Sequence, residues 1–255
     1  MSEPARDDLA ALVADLAAEQ GALRTTLECV RGDDWFRPVP ARGWDVRDTV
    51  AHLADTDELA IDTCLGGDRP LNDFASRLAS PEDVTLWGVL RGRAMPGAAV
   101  LDWWFATSAR ERSVLRGLDS SDRVPWGLGM RAPSFVTARL MECWAHGLDV
   151  HAALGTAPAD TDRLRHVAWL SIRALPYAFG VAGRSVPSGE LLVRLRAPSG
   201  VVWTFGPDDA PNVIEGEAGQ FCRLFVHRLA LGDASSLRAH GEGAIAALEV
   251  ARSFL

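Results

Sequence analysis

The hydrophobic period of this chain changes once, and the change dictates a fold in two parts. Over the first two-thirds, apolar residues recur at three-four spacing. Leu9, Leu12, Val13, Leu16, Leu23, Leu27 and Val30 share one face of a long helix, with Gln20 as the polar exception. A loop with Pro38, Pro40 and Gly43 follows. Asp45 then stands as an N-cap with Asp48 three residues on, and a second helix runs through His52 towards Cys64, stopping at Gly66-Gly67. Residues 68–95 read as irregular or as short helices. A third helix begins near Pro96 and carries Val100, Trp103, Trp104 and Leu115; a fourth starts around Pro133-Ser134 and ends at Gly155. Four long helices joined by loops make a four-helix bundle the economical solution.

Past the linker at Thr156-Ala-Pro-Ala-Asp-Thr-Asp, a helix is expected from Thr161 to Phe179, with a kink at Pro176. The pattern then turns to strands. Leu191–Arg196 and Val201–Phe205 are β-rich runs separated by Pro198-Ser-Gly, a hairpin signal. Val213–Gly216 gives a third strand, Phe221–Leu231 an apolar helix, Leu237–His240 a fourth strand and Ala244–Phe254 a last helix. The expected division is a bundle over residues 1–158 and a smaller α+β domain over 159–255.

Composition narrows the chemistry. With 34 acidic against 26 basic residues the net charge is −8, which repels phosphate and argues against nucleic acid as the main partner. No apolar run approaches the roughly 20 residues that span a bilayer. The first residues lack the basic and apolar regions of a signal peptide, so a cytoplasmic protein without a membrane partner is expected. Every basic residue is arginine, which excludes a lysine Schiff base and a P-loop lysine. Cys29, Cys64, Cys143 and Cys222 are widely spaced, without a CxxC pair, and read as small apolar groups. The nine tryptophans read as core.

The informative segment is Arg139-Leu-Met-Glu142-Cys-Trp-Ala-His146-Gly-Leu-Asp149-Val-His151. At 100° per residue, Glu142 and His146 lie about 40° apart on one helical face, so a single metal ion can reach both. Asp149 shares that face, whereas His151 is rotated by about 140° and is excluded from the ligand set. His52, in the middle of the second helix, can supply a third ligand, because inward-facing side chains of different helices meet in a bundle core. His52, Glu142 and His146 would then form the two-histidine, one-carboxylate set of catalytic zinc, with a position open for water or substrate. The same spacing also suits hydrogen-bonded histidines of an ordinary core. Asp55 and Asp149 read as carboxylates supporting the ligands or facing solvent.

Trp44-Asp-Val-Arg-Asp with Ala51-His52-Leu, followed by Glu142-xxx-His146-Gly-Leu-Asp-Val-xxx-Ala-Leu-Gly155, resembles the DinB-like superfamily in its mycothiol-dependent maleylpyruvate isomerase branch. The resemblance spans essentially the whole chain. It implies an N-terminal four-helix metal-binding bundle and a smaller C-terminal α+β domain resembling sterol carrier proteins. It also implies His52, Glu142 and His146 as ligands of a divalent metal, usually zinc. Arg228, in Leu224-Phe-Val-His-Arg-Leu-Ala, is the best match to an active-site arginine of the family, although His227 stands where relatives often carry glycine.

The implied activity is a metal-dependent transferase or isomerase that adds mycothiol, or a similar low-molecular-weight thiol, to a small electrophilic substrate. Two alternatives use the same residues: a metal-water hydrolase, distinguished by turnover without thiol, and a non-catalytic metal-binding protein whose tail holds a small molecule. Substrate, thiol, metal and oligomeric state are left open by the sequence.

Overall fold

A computed structural model of the chain describes residues 6–253, apart from the side chains of residues 6–8, 81 and 82. The chain divides into two compact units, the first ending at Pro158 and the second beginning at Ala159.

The first unit is built on α1 (Arg6–Leu27), α2 (Val46–Leu65), α5 (Gly97–Arg116) and α6 (Ala132–Leu154), with α3 (Leu71–Ala75) and α4 (Pro81–Arg93) between α2 and α5. Both α1 and α2 pack against α5 and α6, which closes a four-helix bundle, and α4 lies against α2. The apolar stripe of α1 is buried as the spacing requires, and Gln20 is buried with it. A reciprocal capping box starts α2: the Asp45 carboxylate accepts from the Asp48 N–H and the Asp48 carboxylate from the Asp45 N–H. Its last turn closes on Gly66 in the left-handed conformation. These two ends place His52 in the second turn of α2, facing the interior. A short ribbon of β1 (Arg123–Val124) and β2 (Met130–Arg131) precedes α6.

Over 68–95, where irregular chain or short helices were expected, the structure has the short α3 and the thirteen-residue α4. Its start signal is clear, since the Ser80 N–H donates to the Asp83 carboxylate. Its apolar period is blurred because Leu86, Trp87 and Leu90 are left exposed.

The second unit carries a four-stranded sheet of order β4-β3-β5-β6. The hairpin of β3 (Leu191–Arg196) and β4 (Val202–Phe205) is antiparallel; β5 (Asn212–Glu217) runs parallel to β3, and β6 (Arg238–His240) antiparallel to β5. The expected helix over 161–179 is two pieces, α7 (Leu164–Arg173) and α8 (Leu175–Val181), split at Ala174 just ahead of Pro176. The apolar helix is shorter than its pattern: α9 spans Ala218–Phe225. It is stopped by His227, at φ 56 the only non-glycine with positive φ among the described residues. The Arg228 N–H then reaches back to the Arg223 carbonyl, the closure that usually recruits glycine. The last helix, α10, covers Glu242–Glu249 rather than Ala244–Phe254; Phe254 lies outside the described residues.

Among the described residues, no helix is long and apolar enough to cross a membrane.

Candidate metal centre

The bundle brings together the three residues that helical spacing singled out. One ligand atom from each of His52, Glu142 and His146 lies within 4.8 Å of the other two. His52 comes from α2; Glu142 and His146 are one turn apart on α6. Each imidazole points Nε2 at the same carboxylate oxygen, Glu142 Oε2, at 3.6 Å. That distance is too long for a hydrogen bond. It matches ligands that share a metal, since tetrahedral bonds of about 2.0–2.1 Å put neighbouring ligand atoms about 3.4 Å apart. The donor set, two imidazoles and a carboxylate, suits zinc.

Asp149 fixes the second imidazole. Its carboxylate, buried to 1% exposure, lies 3.1 Å from His146 Nδ1. An ionised carboxylate only accepts, so Nδ1 carries the proton, and the neutral tautomer this selects turns its Nε2 lone pair towards Glu142 and His52. Trp44, just before the α2 cap, covers the pair from one side: its ring stacks on His146 at 6.2 Å between centroids and tilts towards His52 at 5.2 Å. The two imidazoles meet edge to face at 4.7 Å. Counting the tryptophans as core gave Trp44 no role. Its position against the cap of the His52 helix was the available signal.

Electrostatically the site favours a cation. Burial lowers the His52 pKa despite the pull of Glu142, keeping that imidazole neutral. Burial would raise the Glu142 carboxyl, but the two imidazoles outweigh it and hold it well below the ordinary range. For His146, burial acts downward while Asp149 and Glu142 carry its pKa up. The ligand side chains keep 10% (His52), 22% (Glu142) and 14% (His146) of their exposure, so the cluster is not sealed from solvent.

Other singled-out residues lie elsewhere. His151 turns away from the cluster, with Nδ1 2.7 Å from the Thr156 hydroxyl and Nε2 3.4 Å from that of Thr26. Asp55 does not support the ligands; it accepts from Arg69 at 2.9 Å. Arg228 belongs to the second unit, where its guanidinium donates to the Val226 carbonyl at 2.7 Å.

A second ionic cluster, which the sequence did not reveal, occupies the same bundle. Arg139 of α6 donates through Nε to Glu111 of α5 and through Nη2 to Asp57 of α2, both at 2.7 Å, and through Nη2 to the Thr56 hydroxyl at 3.1 Å. Gln20 of α1 donates to the other Glu111 oxygen at 3.0 Å, and Arg112 donates to Gln20. All four helices thus join one polar layer. Burial and the neighbouring Glu111 push the Asp57 carboxyl well above its ordinary range. Burial alone would lower the Arg139 guanidinium, but Glu111 and Asp57 overcome it and keep it charged.

Comparison with known proteins fits this architecture. The family model of the mycothiol maleylpyruvate isomerase N-terminal domain matches residues 16–151. Uncharacterized proteins from two strains of Mycobacterium tuberculosis are each 36% identical over 243 residues, covering 95% of this chain and 94% of theirs. The crystal structure of the mycothiol-dependent maleylpyruvate isomerase superposes with a TM-score of 0.61 at 16% identity, covering 92% of this chain and 95% of that one. A mutant of the same isomerase matches equally well. These two likenesses establish the fold: an N-terminal helical bundle followed by a small α+β unit.

Proposed function

The chain belongs to the family of the mycothiol maleylpyruvate isomerase N-terminal domain, and on that premise we propose that it is a zinc-dependent enzyme that uses a low-molecular-weight thiol of the mycothiol type to transfer to, or isomerise, a small electrophilic substrate. One observation carries this reading: two imidazole nitrogens and a carboxylate oxygen from two helices converge within 4.8 Å, and solvent can still reach them.

Bound there, a divalent cation would supply the positive charge that keeps a thiol as its thiolate at neutral pH. The protein's own part is to hold geometry and to shape the surroundings. His52 and His146 offer their Nε2 atoms, Glu142 balances charge, and Asp149 accepts from His146 Nδ1, which leaves Nε2 for the metal once its proton is displaced. Trp44 forms an apolar wall beside both imidazoles. Arg228, on the resemblance, is proposed to pair with a carboxylate of the substrate.

Metal analysis and a thiol-consumption assay test the reading together. Wild-type protein should retain about one equivalent of zinc, His52→Ala should lose it, and His151→Ala should keep it. Thiol should be consumed with an electrophile only by the zinc-loaded protein. Arg228→Ala should keep its zinc and lose about 1.5–3 kcal/mol in kcat/KM, the worth of a charged hydrogen bond. Turnover without thiol would favour hydrolysis, and retention of zinc by His52→Ala would remove His52 from the ligand set.

A further inference from the structure

The polar layer around Arg139 sits one helical turn from the candidate metal centre, on the same two helices. Thr56 and Asp57 follow His52 by four and five residues on α2, and Arg139 precedes Glu142 by three on α6. The two helices therefore run antiparallel here, with ligands at one level and the ionic layer at the next. A chain of hydrogen bonds links the levels: Arg139 Nη2 donates to the Thr56 hydroxyl, and that hydroxyl donates to the main-chain carbonyl of His52 at 2.9 Å. We propose that this layer is the positioning device of the metal cluster: it sets the register of α2 against α6, and with it the distance of His52 from Glu142 and His146.

The physical case is one of directionality. Most of the remaining α2 face is apolar or small, including Val50, Ala51, Leu53 and Ala54. Apolar contact is non-directional, so it tolerates a slide of one helix along another. A guanidinium that bonds three acceptors on two neighbouring helices does not. A slide of one residue moves an acceptor by about 1.5 Å, enough to break bonds of this length. Arg139, Asp57 and Glu111 are 3%, 2% and 1% exposed, so water cannot replace a lost partner. The tight layer is closed to solvent, while the ligands it aligns are open to it. Arg139 is thus a positioning residue: it acts through α2 and touches no reacting group.

The proposal rests on reading the cluster as a metal centre, and its test keeps the two apart. An uncharged layer of the same shape, Arg139→Met with Asp57→Asn and Glu111→Gln, removes the directional bonds without leaving a buried charge unpaired. Thr56→Val is the milder variant: it removes the hydroxyl that joins Arg139 to the His52 carbonyl and leaves the bonds of Arg139 to Asp57 and Glu111 in place. Two quantities are read on protein with a cooperative melt: the NOE between the His52 and His146 rings in metal-free protein, and zinc affinity by chelator competition.

In the wild type the NOE should be present. The triple variant should lose it and bind zinc about 10–100-fold more weakly, and Thr56→Val should show a smaller loss of both. An unchanged NOE and affinity in a folded triple variant would overturn the positioning role; if the triple variant does not fold, the same result in Thr56→Val does so. If the wild type binds no zinc yet the NOE follows the layer, the metal reading fails and the positioning role stands.

Discussion

Two charged constellations sit one turn apart in the same bundle, and they solve opposite problems. The Arg139 layer contains its own cation and is sealed, with Arg139, Asp57 and Glu111 each at 3% exposure or less. The cluster of His52, Glu142 and His146 is built of groups that serve as ligands, supported by Asp149, and its side chains are 10–22% exposed. Burying ionic groups is costly in either place. In the first the cost is offset by the bonds of Arg139 to Glu111 and Asp57. In the second it is offset when a cation joins, so the groups that fit a functional reading are those whose charges the chain itself leaves unbalanced. A buried polar cluster in a bundle is therefore not evidence of a site until its own cation has been sought.

The sharpest way to break this contrast is to remove the cation of the sealed layer. Arg139→Leu should cost about 3–5 kcal/mol of stability in chemical denaturation, because the carboxyl groups of Asp57 and Glu111 are left without their partner. A loss under about 1 kcal/mol would show that the layer is not held by that pairing. The open cluster should respond differently. Asp149→Asn should weaken zinc binding about 10–100-fold through the His146 tautomer, while the metal-free protein melts close to wild type. Equal losses of stability in the two variants would erase the distinction.

The smallest effect is a pH slope. Asp57 holds its proton more tightly in the folded chain than in the unfolded one, because of burial and then of Glu111. Between the ordinary aspartate pKa and this raised one, the folded state binds more protons, so stability conferred at low pH is lost as pH rises. Asp57→Asn should flatten that decline. An unchanged slope in urea denaturation measured across the acid-to-neutral range would show that Asp57 is ionised in the folded protein.

Much of this was legible in the amino-acid sequence where the signal is local. Period gives α1, and period with caps gives α2, α5 and α6, because each buries one continuous stripe. Glu142 and His146 are legible as a pair for the same reason, and His52 as an inward residue of another helix. Features that depend on partners far along the chain were not. Arg139 finds Glu111 28 residues away and Asp57 82 residues away, and no spacing rule connects them. The one trace is Gln20, a polar residue in an otherwise apolar stripe, buried because it serves Glu111. The early end of α9 was hidden by composition: His227 adopts a conformation expected of glycine, with its ring nitrogen Nε2 2.9 Å from the Ala251 carbonyl.

The central claim is that His52, Glu142 and His146 bind one metal ion between α2 and α6. Anomalous diffraction at the zinc edge, on crystals grown with one equivalent of zinc, tests it most directly. The expected result is a single strong peak about 2.0–2.2 Å from His52 Nε2, His146 Nε2 and a Glu142 carboxylate oxygen. A peak bound elsewhere, or none at these three residues in zinc-loaded protein, would contradict it.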